Sequence, residues 1–270
     1  MTTEEHLATI ESALKGRRLH VSRVEDTFNV RQGQGPLATK AHVDPRPLLE
    51  VRADDPFVWR RQVAGFASGV KHVLLEPKRS DAGSWEFVDS AGGLLPTIQS
   101  DTFSLGVEAA CGEQAWTLPF CDDLQVAYLV RLPNGLRPVT VPQVEHWGVS
   151  EDRVTSAARS LLFHKTRQLS FKPYRDLSQV RRLKAGDGHD AARCLVVGDA
   201  FYSEVGDDFR FSLPTPEHFL CVHQKSPETL AQLRQATAEV LADTDYPLTE
   251  KLFRFRLGKP ELLQESSDER

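Results

Sequence analysis

Leu7, Ile10 and Leu14 recur at helical spacing behind Thr2 and Glu5, which stand three apart as the partners of a capping box do. The pattern predicts a helix that Gly16 ends. Two short strands come next at 19–25 and 28–31, then a turn at Gly33-Gln34-Gly35-Pro36, and 46–52 fits either a strand or a short helix. From Pro56 to Leu75, Trp59, Val63, Phe66, Val70 and Val73 form one apolar stripe and predict a longer helix. The polar, Gly- and Ser-containing stretch 77–94 reads as a linker or long loop.

The second half is patterned as hairpins. Leu124–Leu132 is apolar on both faces, as a central strand is, and Pro133-Asn134-Gly135 turns it back into 136–141. Ser150, Glu151 and Asp152 open a helix whose apolar side is Val154, Ala157, Ala158, Leu161 and Leu162. A further helix is expected from Asp190 toward Val205. A hairpin is expected from 209–213 and 219–223, and a helix behind Ser226-Pro227 with Leu230, Leu233, Val240 and Leu241 inward. Leu252–Leu257 reads as the last strand, and the polar, acidic 261–270 as a frayed tail. Strands arriving as hairpins, and not as β-α-β crossovers, point to an α+β fold with helices packed on one face of mostly antiparallel sheet. The expected division is a small α-β-β-α unit over 1–76, the linker 77–94, and a larger unit over 95–260.

Bulk properties narrow the function classes. The chain has 270 residues, 40% hydrophobic and 26% charged, with a net charge of −5, so it can bury a sizeable core and gives no global attraction for nucleic acid. No stretch approaches the length of a membrane span, and the start is acidic where a secretion signal is basic, so a cytoplasmic location is expected. Cys111, Cys121, Cys194 and Cys221 form no C-x-x-C pair and read as reduced thiols of the core. Nucleophile-elbow, S-x-x-K and phosphate-loop motifs are missing. No cofactor and no metal are expected.

Two runs carry candidate chemistry. In Gly186-Asp187-Gly188-His189-Asp190-Ala191-Ala192-Arg193, the residues Asp187, His189, Asp190 and Arg193 could serve as ligands or acid–base groups of a small hydrolase-type or metal-assisted enzyme. The leading reading is structural: a turn into a helix, capped by an Asp, with Arg193 paired to a carboxylate one turn on. His218, Cys221 and His223 lie close in sequence, with Cys221 and His223 on one side of a strand, and read as packing. The second run is basic. Lys165, Arg167, Lys172, Arg175, Arg181, Arg182 and Lys184 stand against Asp176 alone, a local +6 on a remainder of −11, with Phe171 and Tyr174 interleaved. A surface-exposed stretch of that kind would meet an acidic protein partner, or the chain's own acids, before duplex DNA. The expected function is a non-catalytic binding or adaptor protein for a protein partner or a small anionic ligand, with nucleic acid the weakest alternative.

Several runs from Leu95 to Leu263 resemble, in order, those of the YtpQ-like family of bacterial proteins. Leu95-Pro96-Thr97-Ile98-Gln99-Ser100 resembles its Pro-x-Ile-[RK]-Ser segment, with Gln99 at the basic position. The 123–141 hairpin with Trp147-Gly148-Val149-Ser150 is similar to its central unit. Asp187–Arg193 resembles D-G-Y-D-A-S-R, with His189 and Ala192 at the Tyr and Ser positions, and Pro247-Leu248-Thr249 resembles part of its C-terminal unit. The resemblance implies a shared fold and a cytoplasmic location; it assigns no activity, cofactor or catalytic residue.

Overall fold

The computed structural model describes residues 2–33, 38–74, 86–132, 135–224, 226–256 and 258–263. Helix α1 (Thr3–Gly16) begins at the capping box: Thr2 Oγ1 accepts from Glu5 N, and a Glu5 carboxylate oxygen accepts from Thr2 N at 2.6 Å. Strands β1 (His20–Val24) and β2 (Thr27–Gln32) form the expected hairpin, and β3 (Thr39–Val43) adds an unforeseen third strand to its β2 edge. Its alternation, Lys40 and His42 out and Ala41 and Val43 in, is that of a half-buried strand. Helix α2 (Arg46–Glu50) resolves the ambiguous 46–52 segment, with Arg46 N donating to Asp44 Oδ1 at 3.0 Å. Helix α3 (Pro56–Leu74) carries the predicted stripe, four of whose five members are buried, with Val73 partly so.

The linker expectation fails over its later part. Residues 75–85 lie outside the description, but α4 (Phe87–Ala91) buries Phe87 and Ser90, and β4 (Leu94–Ser100) is buried along its whole length. Then come α5 (Phe103–Cys111), β5 (Thr117–Pro119), β6 (Leu124–Leu132), β7 (Gly135–Pro138), α6 (Val141–Trp147) and α7 (Glu151–Thr166). Strand β6 is central, paired in the order β4-β6-β5 and with β7; the turn residues 133–134 are outside the description.

The basic stretch is built into regular structure: after α7 come β8 (Lys172–Tyr174) and β9 (Leu177–Leu183). The helix expected over 190–205 is instead a 3-10 turn (Ala191–Leu195) and a one-turn α8 (Val197–Ala200), broken at Val196, whose φ is −134°. Two β-branched residues with Gly198 behind them carry weak helix propensity, and in a 3-10 turn positions three apart eclipse, which sets Arg193 over Asp190. Strands β10 (Arg210–Ser212) and β11 (Phe219–Val222), helix α9 (Pro227–Ala242) behind a Ser226–Thr229 capping box, and β12 (Leu252–Arg256) match expectation. A last strand, β13 (Lys259–Leu262), replaces the start of the expected tail, and Leu263 is buried. Residues 264–270 are outside the description.

The chain forms two compact units, neither continuous in sequence. One comprises 1–95, 99–118 and 127–157; the other comprises 96–98, 119–126 and 158–270. This differs from the expected division at 77–94. In the first, α1 and α3 cover one face of the β1-β2-β3 sheet through Leu7, Ile10, Leu14, Phe28, Val30, Val63 and Phe66. In the second, an antiparallel sheet ordered β13-β12-β10-β11-β9-β8 has α9 on one face, packed through Leu220, Val222, Leu230, Leu233 and Val240. Its other face is rich in phenylalanine: Phe211 lies between Phe219 at 5.3 Å and Phe253 at 5.4 Å. The architecture is α+β. No helix among the described residues is long and apolar enough to cross a membrane.

Candidate functional site

The Asp187–Arg193 run is a closed ionic cluster. Arg193 is fully buried. Its Nη1 and Nη2 donate to the two carboxylate oxygens of Asp187, each at 3.0 Å, and Nη1 also donates to Asp190 Oδ1 at 3.0 Å. Asp187 Oδ1 accepts from His189 N two residues on, the expected turn contact. Asp190 does not cap the 3-10 turn that begins at Ala191; its carboxylate accepts instead from the upstream amides of Ala185 at 2.9 Å and Gly186 at 3.4 Å. His189 Nδ1–H donates to the Pro96 carbonyl at 2.9 Å. Burial tends to raise the Asp187 carboxyl, but the hydrogen bonds and the charge of Arg193, together with His189, outweigh it and hold it below the usual range. Burial raises Asp190 against its amide donors and Arg193. Both carboxylates are thus committed to Arg193 and to backbone, and among the described residues no three His, Cys, Asp or Glu side chains converge to hold an ion.

The seven basic residues do not share a face. Lys172 and Arg182 stand directly opposite on β8 and β9, and Leu220 continues their row on the α9 side; Arg181 pairs with Pro173 and Cys221 and points to the other side. Arg175, at φ +49° in the hairpin turn, is paired with Glu239 at 3.0 Å and Asp243 at 3.9 Å, so part of the charge answers the chain's own acids. Lys165, Arg181 and Arg182 are half-buried, against the expectation of a wholly exposed stretch; Arg167, Lys172 and Lys184 are exposed.

Of the seven, Arg181 lines a cavity of about 460 Å³. Phe171 and Val222 supply its apolar wall; Gln179, Glu204, His223 and Gln224 supply polar groups. Antiparallel pairing across β9 and β11 puts Arg181 beside Cys221, and the same alternation carries Gln179 and His223 to that side. His223 is held edge-on to Phe171 and Phe209, with ring centres at 4.8 and 5.2 Å, and its Nδ1–H donates to the Glu204 carbonyl at 3.1 Å. In the neutral ring that leaves Nε2 as an acceptor. No ion pair of Arg181 occurs among the described residues. The neighbouring Cys221 is fully buried, and desolvation pushes its thiol well above the ordinary value, so it is no nucleophile. Thr229, also on the wall, spends its hydroxyl on the Gln224 carbonyl at 2.7 Å. The arrangement holds a fixed cation, amides and an aromatic wall, and it can bind a small polar molecule with an anionic end.

Of this cavity, Arg181 and Phe171 belong to the basic run that stands out in the sequence. Gln179, Glu204 and Gln224 carry no such signal, and His223 reads from sequence as packing; only its period-two spacing from Cys221 hints at a shared side. No family model, no curated protein and no solved structure matches the chain.

Proposed function

We propose that this protein is a non-catalytic binding protein that takes a small carboxylate- or phosphate-bearing ligand in the Arg181 cavity. The observation that carries the reading is a guanidinium without an ion-pair partner among the described residues, facing a cavity whose other polar side chains are amides, a tautomer-fixed imidazole, one exposed carboxylate and the already bonded Thr229 hydroxyl. Arginine's planar fork suits oxyanions, and Phe171 offers a face for the rest of the ligand. A binding role is favoured over catalysis because the hydroxyl and thiol nearest the cavity are bonded or buried, and because the Asp187 and Asp190 carboxylates are engaged by Arg193 and backbone amides. Resemblance to the YtpQ-like family is compatible with this reading and adds no ligand to it.

The test is a thermal-shift and calorimetric screen of small carboxylates and phosphates on the wild type and Arg181→Gln. Losing a charge-assisted contact worth about 1.5–3 kcal/mol should weaken a true ligand by roughly 10- to 100-fold while leaving the unliganded melting temperature close to wild type. A screen in which every bound anion is indifferent to Arg181→Gln would sink the reading.

A further inference from the structure

The outer face of the β1-β2-β3 sheet carries a second, unrelated charge feature. Register places His20 opposite Arg31 and Arg31 opposite Lys40, so the three form one row across all three strands, spanning about 10 Å at the usual strand spacing. Two residues along, Ser22, Asn29 and His42 form a parallel row. Both rows line a cavity of about 440 Å³. The opposite face sends Val30 and Val43 into the core, so alternation holds the rows outward.

Directly opposed like charges destabilise a sheet. Here nothing local relieves them: residues 28–43 contain no Asp or Glu. The acids nearest in sequence are already engaged, Asp26 with Arg23 at 3.9 Å and Asp44 with Arg46. Other opposed cations have acids at hand: Arg254, opposite Arg210, bonds Glu261 at 3.2 Å, Arg256, opposite Lys259, pairs with Glu261 at 3.6 Å, and near Lys172 and Arg182 the charges of Arg182, Glu239 and Asp243 all bear on Tyr174. In the second outer row, His42 Nδ1–H donates to Asn29 Oδ1 at 3.2 Å, which leaves the Asn29 amide nitrogen as a donor beside the Ser22 hydroxyl. The surface is therefore rich in donors, cationic at one end and neutral-polar at the other.

We infer that this face is a phosphate-binding site, with Arg31 and Lys40 gripping the phosphate beside His20, and the Ser22-Asn29-His42 row contacting the hydroxyl-bearing part of the ligand. It is independent of the Arg181 cavity. The experiment is calorimetric titration at matched ionic strength with inorganic phosphate, a sugar phosphate monoester and single-stranded oligothymidylate. The proteins are wild type, Arg31→Gln/Lys40→Gln, Arg181→Gln, and an exposed-cation control, Arg167→Gln/Lys259→Gln. Expected is saturable one-site phosphate binding that weakens at least tenfold in Arg31→Gln/Lys40→Gln alone, whose melting temperature at low salt should equal or exceed that of wild type as the repulsion is removed. A monoester that competes with phosphate and binds more tightly identifies a small phosphorylated molecule; tighter, phosphate-competed oligonucleotide identifies a polynucleotide backbone as the source. Absence of saturable phosphate binding in the wild type, an equal loss in the control, or loss only in Arg181→Gln would overturn the inference.

Discussion

Asp190 and Arg193 illustrate how a run with the look of a catalytic motif becomes structure. A fully buried guanidinium is tolerable only when its charge is answered, and Asp187 and Asp190 take three bonds of 3.0 Å from Nη1 and Nη2, while the buried Nε has no hydrogen-bond partner among the described residues. Asp190→Asn should therefore destabilise the fold by about 3–5 kcal/mol, the range for breaking a buried pair, as read by denaturant melts. Asp187 is partly exposed and its replacement by Asn should cost less, about 1–3 kcal/mol. The pH dependence separates the two. Because the Asp187 carboxyl sits below its unfolded value, its contribution is present above about pH 4 and is lost as pH falls through the lower, folded value. The stability gap between wild type and Asp187→Asn should then close in acid. Asp190, raised by burial, runs the other way, and its own titration favours the fold as pH falls. A gap that stayed constant from pH 7 to pH 2 would remove Asp187 from this role.

Among the elements, the closest packing is between α3 and α5, where small residues let backbone meet backbone. A Cβ added at Gly69 would lie 2.3 Å from the Phe103 carbonyl oxygen, and one at Gly106 would lie 2.0 Å from the Phe66 carbonyl oxygen. Ala usually improves on Gly inside a helix by up to about 1 kcal/mol. At Gly69 the sign should reverse, with a loss of about 1–3 kcal/mol from forced separation of the helices. Gly198, in α8, has nothing within 4 Å of a built Cβ, so Gly198→Ala should be neutral or mildly stabilising. Thermal melts of the two variants decide it: equal shifts would mean the α3–α5 contact is looser than described. Legibility at this scale tracks amphipathicity. Helices α1 and α9 bury one stripe and can be read from period alone, whereas α3 shows its apolar stripe in the sequence but is buried on every side from Arg61 to Val70. Helix α4 and strand β4 cannot: β4 is buried on both faces and so shows no alternation, and a helix as short as α4 is built by its surroundings.

For the whole molecule, the four cysteines give a graded report of folding. All four are free, but only Cys194 and Cys221 belong to the core; Cys111 is exposed and Cys121 half-buried, contrary to the expectation that places all four inside. Burial lifts the Cys121 thiol to about 11, with Asp122 and Glu261 adding to it, and its Sγ–H donates to the Pro260 carbonyl at 3.4 Å. Near neutral pH a thiol reagent should therefore label Cys111 first and Cys121 slowly, while Cys194 and Cys221 react only as the chain unfolds. Mass mapping of labelled peptides along a urea titration checks the order, and a denatured count below four without reductant would contradict free thiols. The interleaving of the two units is hidden from the sequence, because each is assembled from segments far apart along the chain.

By itself the sequence determined what depends on near neighbours. Capping boxes at Thr2 and Ser226, the stripe along α3, the β10–β11 hairpin and the turn made by Asp187 are settled within a few residues, where helical and strand periods and side-chain-to-backbone bonds act. Only the tertiary structure decided which charges share a surface. Arg181 and Arg182 are adjacent in the chain yet face opposite sides of a strand, and Arg181 comes to share a wall with Glu204 and His223 because β9 pairs with β11. Arg31 meets Lys40 only because β3 adds to the β2 edge. Strand pairing is non-local, and the energy that selects it is spread over the whole buried face of a sheet, so no short stretch of sequence contains it.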